Sequence, residues 1–596
     1  MNFSKKTAAF LLVVVVLLGF FLRTYHFDEY LLFRIDQERD YQIIKKAFDK
    51  GCGYLPLLGP KAGKPVHLKT DLPGESDSVN LGPIYYYFQY LAVWLFNNPA
   101  PWVLAVPDVF FSTLAIPLFY FLLRLKFSRW ISFLGTLLLA FSFPLVEYSR
   151  FAWNTNQIIF WQLLLFFALL KVHLAEKERF RRVFFLLIFL SLGVIIQLHF
   201  IAFFVFPVLV LFFWLIFGFP KKIGSRYWLL AGALFFLVCS PLIISDFANR
   251  GENFQRLVVT YFQEGTDFEQ AVSFEKRIKK IFFHTGQMAS HVLFSLNDNE
   301  VNKIELFSGL FFGLGILFLG FFCGKTFFLR VIFFKKNKTN KKNDQKILVR
   351  VLFLIFTGLI FLVYWKIFAR LHNFRYWIFL APVFFWIFVE GLAFLEKKFK
   401  TRGNFFLVMP AIFFLLFLHS TALGDFFLGL EKGKGESLWG RRLFLDDYED
   451  LISWGMLQET AEKMLNLAEK DNKKPCFWVE NFQQKSSFKT ALERLSEKNI
   501  TVADKLKQRD CAYFLITEKR KGGAIFPKKM KSLFISQNFF LEKSLVLWKV
   551  TPLKDEDNYV MLEMMDSLLA KNAEKIAKEQ QKASKQVLIW NDLWEK

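Results

Sequence analysis

The sequence predicts a polytopic α-helical membrane protein with a C-terminal α/β domain in water, and three observations predict it. The first is composition: of the 596 residues, 54% are hydrophobic and 80 are Phe. A soluble globular chain sits near ~45–50% apolar, so the excess calls for a solvent other than water. The second is arrangement. The apolar residues come in long blocks separated by charged loops, which is the pattern of membrane helices. The third is a change of composition after Leu423, beyond which the chain is charged and carries no long apolar run.

The net charge of +24 follows the same pattern. The lysines alternate with apolar blocks, so they read as cytoplasmic loops and as attraction to anionic lipid, not as a nucleic-acid surface. The cysteines are Cys52, Cys239, Cys323, Cys476 and Cys511. No C-x-x-C pair occurs, which removes a zinc or dithiol site from consideration. Cys476 and Cys511 each open an expected strand of the tail, and a disulfide between them is expected if that tail is exported.

Taken in order, Lys5 and Lys6 precede an apolar run at 7–22. No small-x-small cleavage site precedes Arg23, so the run reads as an uncleaved span with its N-terminus inside. Residues 23–101 form a long outer loop. Its apolar stretch 84–96 is shorter than the ~20 residues a crossing needs and reads as an interfacial helix. Spans follow at 102–123, 130–146, 158–172, 183–198, 201–219, 227–245, 306–323, 349–365, 376–395 and 405–423. That makes about eleven, and every strongly basic loop then falls inside. A second outer loop covers 246–304.

Residues 1–423 are thus a membrane domain, 424–555 an extracytoplasmic α/β domain and 556–596 a charged helical tail. Within the α/β domain, 454–470 reads as an amphipathic helix. Strands are expected at 476–480 and 512–517, with a helix at 487–495 between them, and a closing pair at 533–536 and 544–550.

Chemistry concentrates where the chain first emerges from the bilayer. Arg34-Ile35-Asp36-Gln37-Glu38-Arg39-Asp40 packs three acids and two arginines into seven residues. Further motifs follow in order: Gly59-Pro60, Leu81-Gly82-Pro83-Ile84-Tyr85-Tyr86-Tyr87, Tyr148 to Asn156, Gly193 to His199, and Arg375-Tyr376 through Pro382. This ordered set resembles the GT-C membrane glycosyltransferases, the superfamily of protein O-mannosyltransferases and aminoarabinose transferases, and more narrowly their bacterial mannosyltransferase-like relatives. The resemblance covers roughly residues 1–420. Thr155 stands where relatives often carry Pro, and no lysine precedes Pro83, which argues against the aminoarabinose substrate pair.

The resemblance implies a GT-C fold and sugar transfer from a polyprenyl-phosphate donor to a lipid, glycan or protein acceptor outside the cell membrane. The phosphate leaves without a general acid, so one carboxylate suffices to take the acceptor's proton. By this resemblance Asp36 is the catalytic base, and its structural alternative is an acid paired with Arg34 or Arg39. Asp40, one helical turn on, holds an acceptor group or pairs with Arg39. Asp28 and Glu29 form a nearby acidic pair closer to the bilayer.

Arg150 and Asn154 lie at the sugar or phosphate, or snorkel at the interface. His199, with Gln197, contacts substrate or joins two helices. Arg370, His372, Arg375 and Tyr376 flank a late span, where cations on an outer loop suit a phosphate. No metal or other cofactor is required, although some members of the superfamily use a divalent ion. Two rival readings are a transporter or lipid flippase and a ligase or polymerase using a diphosphate-linked glycan. Clustering of charge at span ends and the lack of an internal repeat weigh against transport.

Overall fold

The computed structural model describes residues 4–66, 77–221, 223–263, 273–295, 341–366, 376–398, 405–432, 452–479, 482–495, 511–518, 534–542, 545–552 and 588–593. Helix α1 (Lys5–Thr24) starts at Ser4, whose hydroxyl accepts from the Thr7 N–H, a standard N-cap. Helix α2 (Ile35–Lys50) carries the acidic cluster. An antiparallel hairpin follows, of β1 (Lys61–Val66) and β2 (Asp77–Asn80). Next come α3 (Ile84–Phe96), α4 (Pro101–Arg124), α5 (Arg129–Phe141) and α6 (Phe143–Glu147).

A single 3-10 turn, Asn154–Gln157, leads into α7 (Ile158–Leu174), α8 (Glu178–Leu198), α9 (Phe200–Phe217) and α10 (Ser225–Ala248). Then follow α11 (Glu252–Gln263), α12 (Phe274–Phe294), α13 (Lys341–Lys366), α14 (Ala381–Lys398) and α15 (Phe405–Lys432). The tail holds α16 (Trp454–Lys470), β3 (Lys474–Val479), α17 (Phe482–Leu495), β4 (Cys511–Glu518), β5 (Phe534–Glu542) and β6 (Leu545–Pro552).

The chain divides into two compact units. The first comprises Met1–Tyr25, Leu55–Leu95 and Ala105–Leu423; the second comprises His26–Tyr54, Phe96–Leu104 and Gly424–Lys596. This partition differs from the sequence division at 423, because the acidic segment packs with the tail.

The first unit is a multi-pass membrane bundle. Among the described residues nine helices are long and apolar enough to cross a bilayer. Two of the expected eleven account for the difference. The expected span 306–323 lies outside the described residues. The expected span 130–146 is not one helix: α5 covers 13 residues and ends at Ser142, and α6 restarts with Pro144 in its first turn. A proline there cannot supply the N–H that would continue the ladder. Helix α3, at 13 residues, has the short length expected of it. The expected outer loop 246–304 contains two helices, α11 and α12.

Small residues let helices approach, as membrane bundles require. A Cβ on Gly135 of α5 would lie 2.4 Å from the Val389 side chain of α14. The bundle exterior keeps large apolar side chains exposed, Leu229 at 75% and Phe247 at 82% among them. Lipid is the solvent that makes such a surface stable.

In the second unit the strand order is β3-β4-β6-β5. Strands β3 and β4 run parallel, and the other pairs antiparallel. Helix α17 forms the crossover that a parallel pair needs. Each helix and strand expected between 454 and 550 is present, and α16 has the expected bounds.

The acidic segment is built into this unit. The Trp454 N–H donates to the Leu31 carbonyl at 2.7 Å, and the Gly455 N–H to the Glu29 carbonyl at 3.0 Å. A Cβ on Gly455 would lie 2.9 Å from that Glu29 oxygen, so the close approach excludes a larger residue. Trp454 is buried edge-on against Phe33 at 4.9 Å. Gln42 of α2 donates to Thr490 of α17 at 3.3 Å.

Cys476 is disulfide-bonded, while the side chain of Cys511 lies outside those described. Most of the expected helical tail 556–596 is also outside. Its described part ends in a 3-10 turn, Trp590–Leu593.

Trp454→Ala should therefore cost about 3–5 kcal/mol, as for a buried aromatic truncated in a core. Trp94→Ala, at a side chain that is 61% exposed, should leave the melting temperature of the detergent-solubilised protein near wild type. Equal melting of the two variants would contradict the packing described for Trp454.

Candidate active site

Helix α2 begins at Arg34, whose backbone N–H donates to the Gln37 side chain at 3.2 Å. Asp36 and Glu38 fall in the first turn, where negative charge suits the positive end of the helix dipole. Asp36 is 45% exposed and accepts from Arg39 Nη1 at 2.9 Å. The same guanidinium donates to Asp40 Oδ1 through Nε at 2.9 Å and through Nη2 at 2.7 Å.

The Asp40 side chain is only 2% exposed. Of the two readings left open by the sequence, pairing with Arg39 is the one observed. Arg39 is thus held by a buried acid and in turn holds Asp36. Nearby, Asp28 sits above its ordinary range because desolvation disfavours its charged form; Arg494 opposes that shift and Glu29 adds to it. His26 pairs with Glu29 at 2.9 Å.

The remaining described candidates lie in the first unit. Arg150 is buried, and its guanidinium donates to the carbonyls of Leu22, at 3.1 Å, and Tyr25. These carbonyls lie in the last turn and at the C-cap of α1, where a cation suits the dipole. Asn154 donates to the carbonyl of Leu198, the last residue of α8. His199 joins α8 to α9, and its Nδ1 accepts from the Ile201 N–H at 3.2 Å.

The imidazole of His199 stacks on Phe200 at 4.7 Å and meets Tyr376 edge-on at 5.7 Å. Asn154, His199 and Tyr376 are therefore brought together. Gln197 is used differently: its amide donates to the Gly193 carbonyl at 2.8 Å and the Val238 carbonyl at 3.0 Å. Gly82 packs so closely on Gln197 that a Cβ would lie 2.2 Å from Oε1, which accounts for glycine in the Leu81-Gly82-Pro83 motif. Arg370, His372 and Arg375 lie outside the described residues.

Among the buried charged residues of the bundle that were not singled out from sequence are Asp108 and Arg23. Asp108 of α4 is buried and accepts from the Tyr85 hydroxyl at 3.0 Å. Arg23 is buried at the last turn of α1. Charge inside an apolar run is the feature that marks both. Among the described residues, no group of three or more His, Cys, Asp or Glu side chains is gathered to hold a metal ion.

Residues 80–244, from the end of β2 to α10, match the family model of dolichyl-phosphate-mannose-protein mannosyltransferases. That match takes in less than a third of the chain. Several solved structures are similar at a distance. The Archaeoglobus fulgidus oligosaccharyltransferase tethered with an acceptor peptide is 11% identical, with a TM-score of 0.46 over 93% of this chain and 74% of that one. The Archaeoglobus fulgidus AglB complex with an inhibitory peptide and dolichol-phosphate is 11% identical, with a TM-score of 0.45 over 86% and 69%. ArnT from Cupriavidus metallidurans bound to undecaprenyl phosphate is 11% identical, with a TM-score of 0.43 over 91% and 98%. Likenesses this distant decide nothing about donor, acceptor or site residues. No curated protein matches the chain.

Arg150→Met should remove the donors that close the end of α1 and lower stability by about 1–3 kcal/mol, read as earlier thermal unfolding. A variant that melts like wild type yet binds donor poorly would instead return Arg150 to a substrate role.

Proposed function

We propose that the chain is an inverting glycosyltransferase that moves a sugar from a polyprenyl-phosphate donor to a hydroxyl of an extracytoplasmic acceptor, with Asp36 as general base. The reading places the N-terminus in the cytoplasm and the second unit outside the cell membrane. The acceptor is a lipid, a glycan or a protein.

One observation carries the assignment of the base. Of the two acids one turn apart on α2, Asp40 is buried on Arg39 while Asp36 is half-exposed and held by the same guanidinium. Arg39 binds Oδ1 of Asp36, which leaves Oδ2 for a proton. The match to a dolichyl-phosphate-mannose-dependent family over 80–244 supports a lipid-phosphate donor.

In this mechanism the acceptor oxygen attacks the anomeric carbon and gives its proton to Asp36. The bond from that carbon to the phosphate oxygen breaks, and polyprenyl phosphate leaves with the electron pair. A single displacement inverts the anomeric centre. The developing phosphate charge calls for fixed cations, and Arg370, His372 and Arg375 are the residues proposed for it. Asn154, His199 and Tyr376 are proposed to line the sugar. Neither proton transfer nor departure of phosphate calls for a metal.

The first test is transfer of label from radiolabelled polyprenyl-phosphate hexoses in membranes. Asp36→Asn should lower turnover by about 10²–10⁴-fold, the usual worth of a general base, with donor binding kept. Asp40→Asn should cost less, because the Asn side-chain oxygen can still accept from Arg39 in place of Asp40 Oδ1. Wild-type turnover by Asp36→Asn would remove that residue from the mechanism. Transfer should also persist in excess EDTA; loss reversed by added magnesium or manganese would overturn the metal-free reading.

A further inference from the structure

Arg23 is a fully buried guanidinium within the apolar bundle. Its Nε donates to Ser112 Oγ at 2.8 Å, and its Nη1 to the carbonyls of Gly19 at 2.9 Å and Ala140 at 3.0 Å. Its Nη2 has no hydrogen-bond partner among the described residues. Asn156, also buried, uses its Nδ2 on the Phe151 carbonyl at 2.7 Å. Its Oδ1 likewise has no partner.

Arg23 and Asn156 line the same small cavity, together with Ser112, Tyr148 and Ser149. A donor and an acceptor are both left over around one space. Buried polar atoms in that state are rare and call for an occupant.

We infer that this cavity is a binding site for a single water molecule, which accepts from Arg23 Nη2 and donates to Asn156 Oδ1. Size supports the choice: the cavity is about 10 Å³, which is room for one water, and the lining offers the polar partners a buried water needs. Polarity supports it too. A small anion would satisfy Arg23, but the Asn156 carbonyl oxygen at the same cavity, and the Gly19 and Ala140 carbonyls already on the guanidinium, disfavour negative charge. Water serves both a donor and an acceptor.

The site joins α1 to the Asn154–Gln157 turn, which also carries Asn154. The inference rests on the cavity alone and stands apart from the proposed transfer reaction.

X-ray radiolytic footprinting of the full-length protein in detergent tests it, because a bound water generates hydroxyl radicals beside its neighbours. Tyr148, only 4% exposed, should be hydroxylated several-fold more than the fully buried Tyr364. After brief mixing into ¹⁸O-water, Tyr148 should still take up ¹⁶O, since a trapped water exchanges slowly. Asn156→Leu should remove this labelling, and Asn156→Asp, which keeps an acceptor, should retain it. Labelling of wild-type Tyr148 no greater than that of Tyr364 would overturn the proposal, whatever the variants do. A bromide anomalous peak at Arg23 in crystals grown from bromide would overturn it in favour of an anion.

Discussion

A helix that ends inside an apolar unit leaves carbonyls that its own N–H groups cannot reach, and hydrocarbon offers no replacement. In this bundle, side chains answer them. Arg150 reaches the end of α1 and Asn154 the end of α8. Gln162 of α7 donates to the Phe379 carbonyl just before α14. Arg23 takes the Ala140 carbonyl close to the end of α5. The irregular backbone that these side chains permit is where α5 breaks into α6, where the Asn154–Gln157 turn forms and where His199 separates two spans. Polar residues and helix breaks are thus one feature of the bundle.

In the second unit a half-exposed acid is held in a defined orientation. An exposed carboxylate paired with an exposed arginine is weakly held, because solvent screens the pair. Here the arginine is anchored first, by two donors to buried Asp40, and only its remaining nitrogen serves Asp36. The anchor in turn depends on α2 lying against α17, and on Trp454 fixing the preceding segment.

The tail was legible in the sequence because its elements are short, bounded by charge and differently periodic. The break inside 130–146 was not foreseen because the apolar run continues through Pro144, so hydropathy carries no trace of it. Helix α12 was hidden for the opposite reason. Lys276, Arg277, Lys279 and Lys280 make its first half polar, so it reads as loop, although its second half is buried. For Arg150 and Asn154 the sequence left two uses open. Backbone carbonyls have no residue letter, and these partners are all carbonyls. Asp40 was open because only burial separates it from Asp36.

The second unit is assembled from segments far apart in the chain, and that sets an order of events during synthesis. Gln42 and its partner Thr490 are separated by 448 residues. The segment around α2 leaves the ribosome long before α16 and α17 exist, and every bundle helix except α1 is made in between. Until the tail follows, Leu31 and Glu29 lack the backbone partners that order them, and Asp36 has no settled support. Non-local closure of this kind is slow. An unfinished or prematurely terminated chain therefore carries the bundle helices without the partners that order the segment leading into α2.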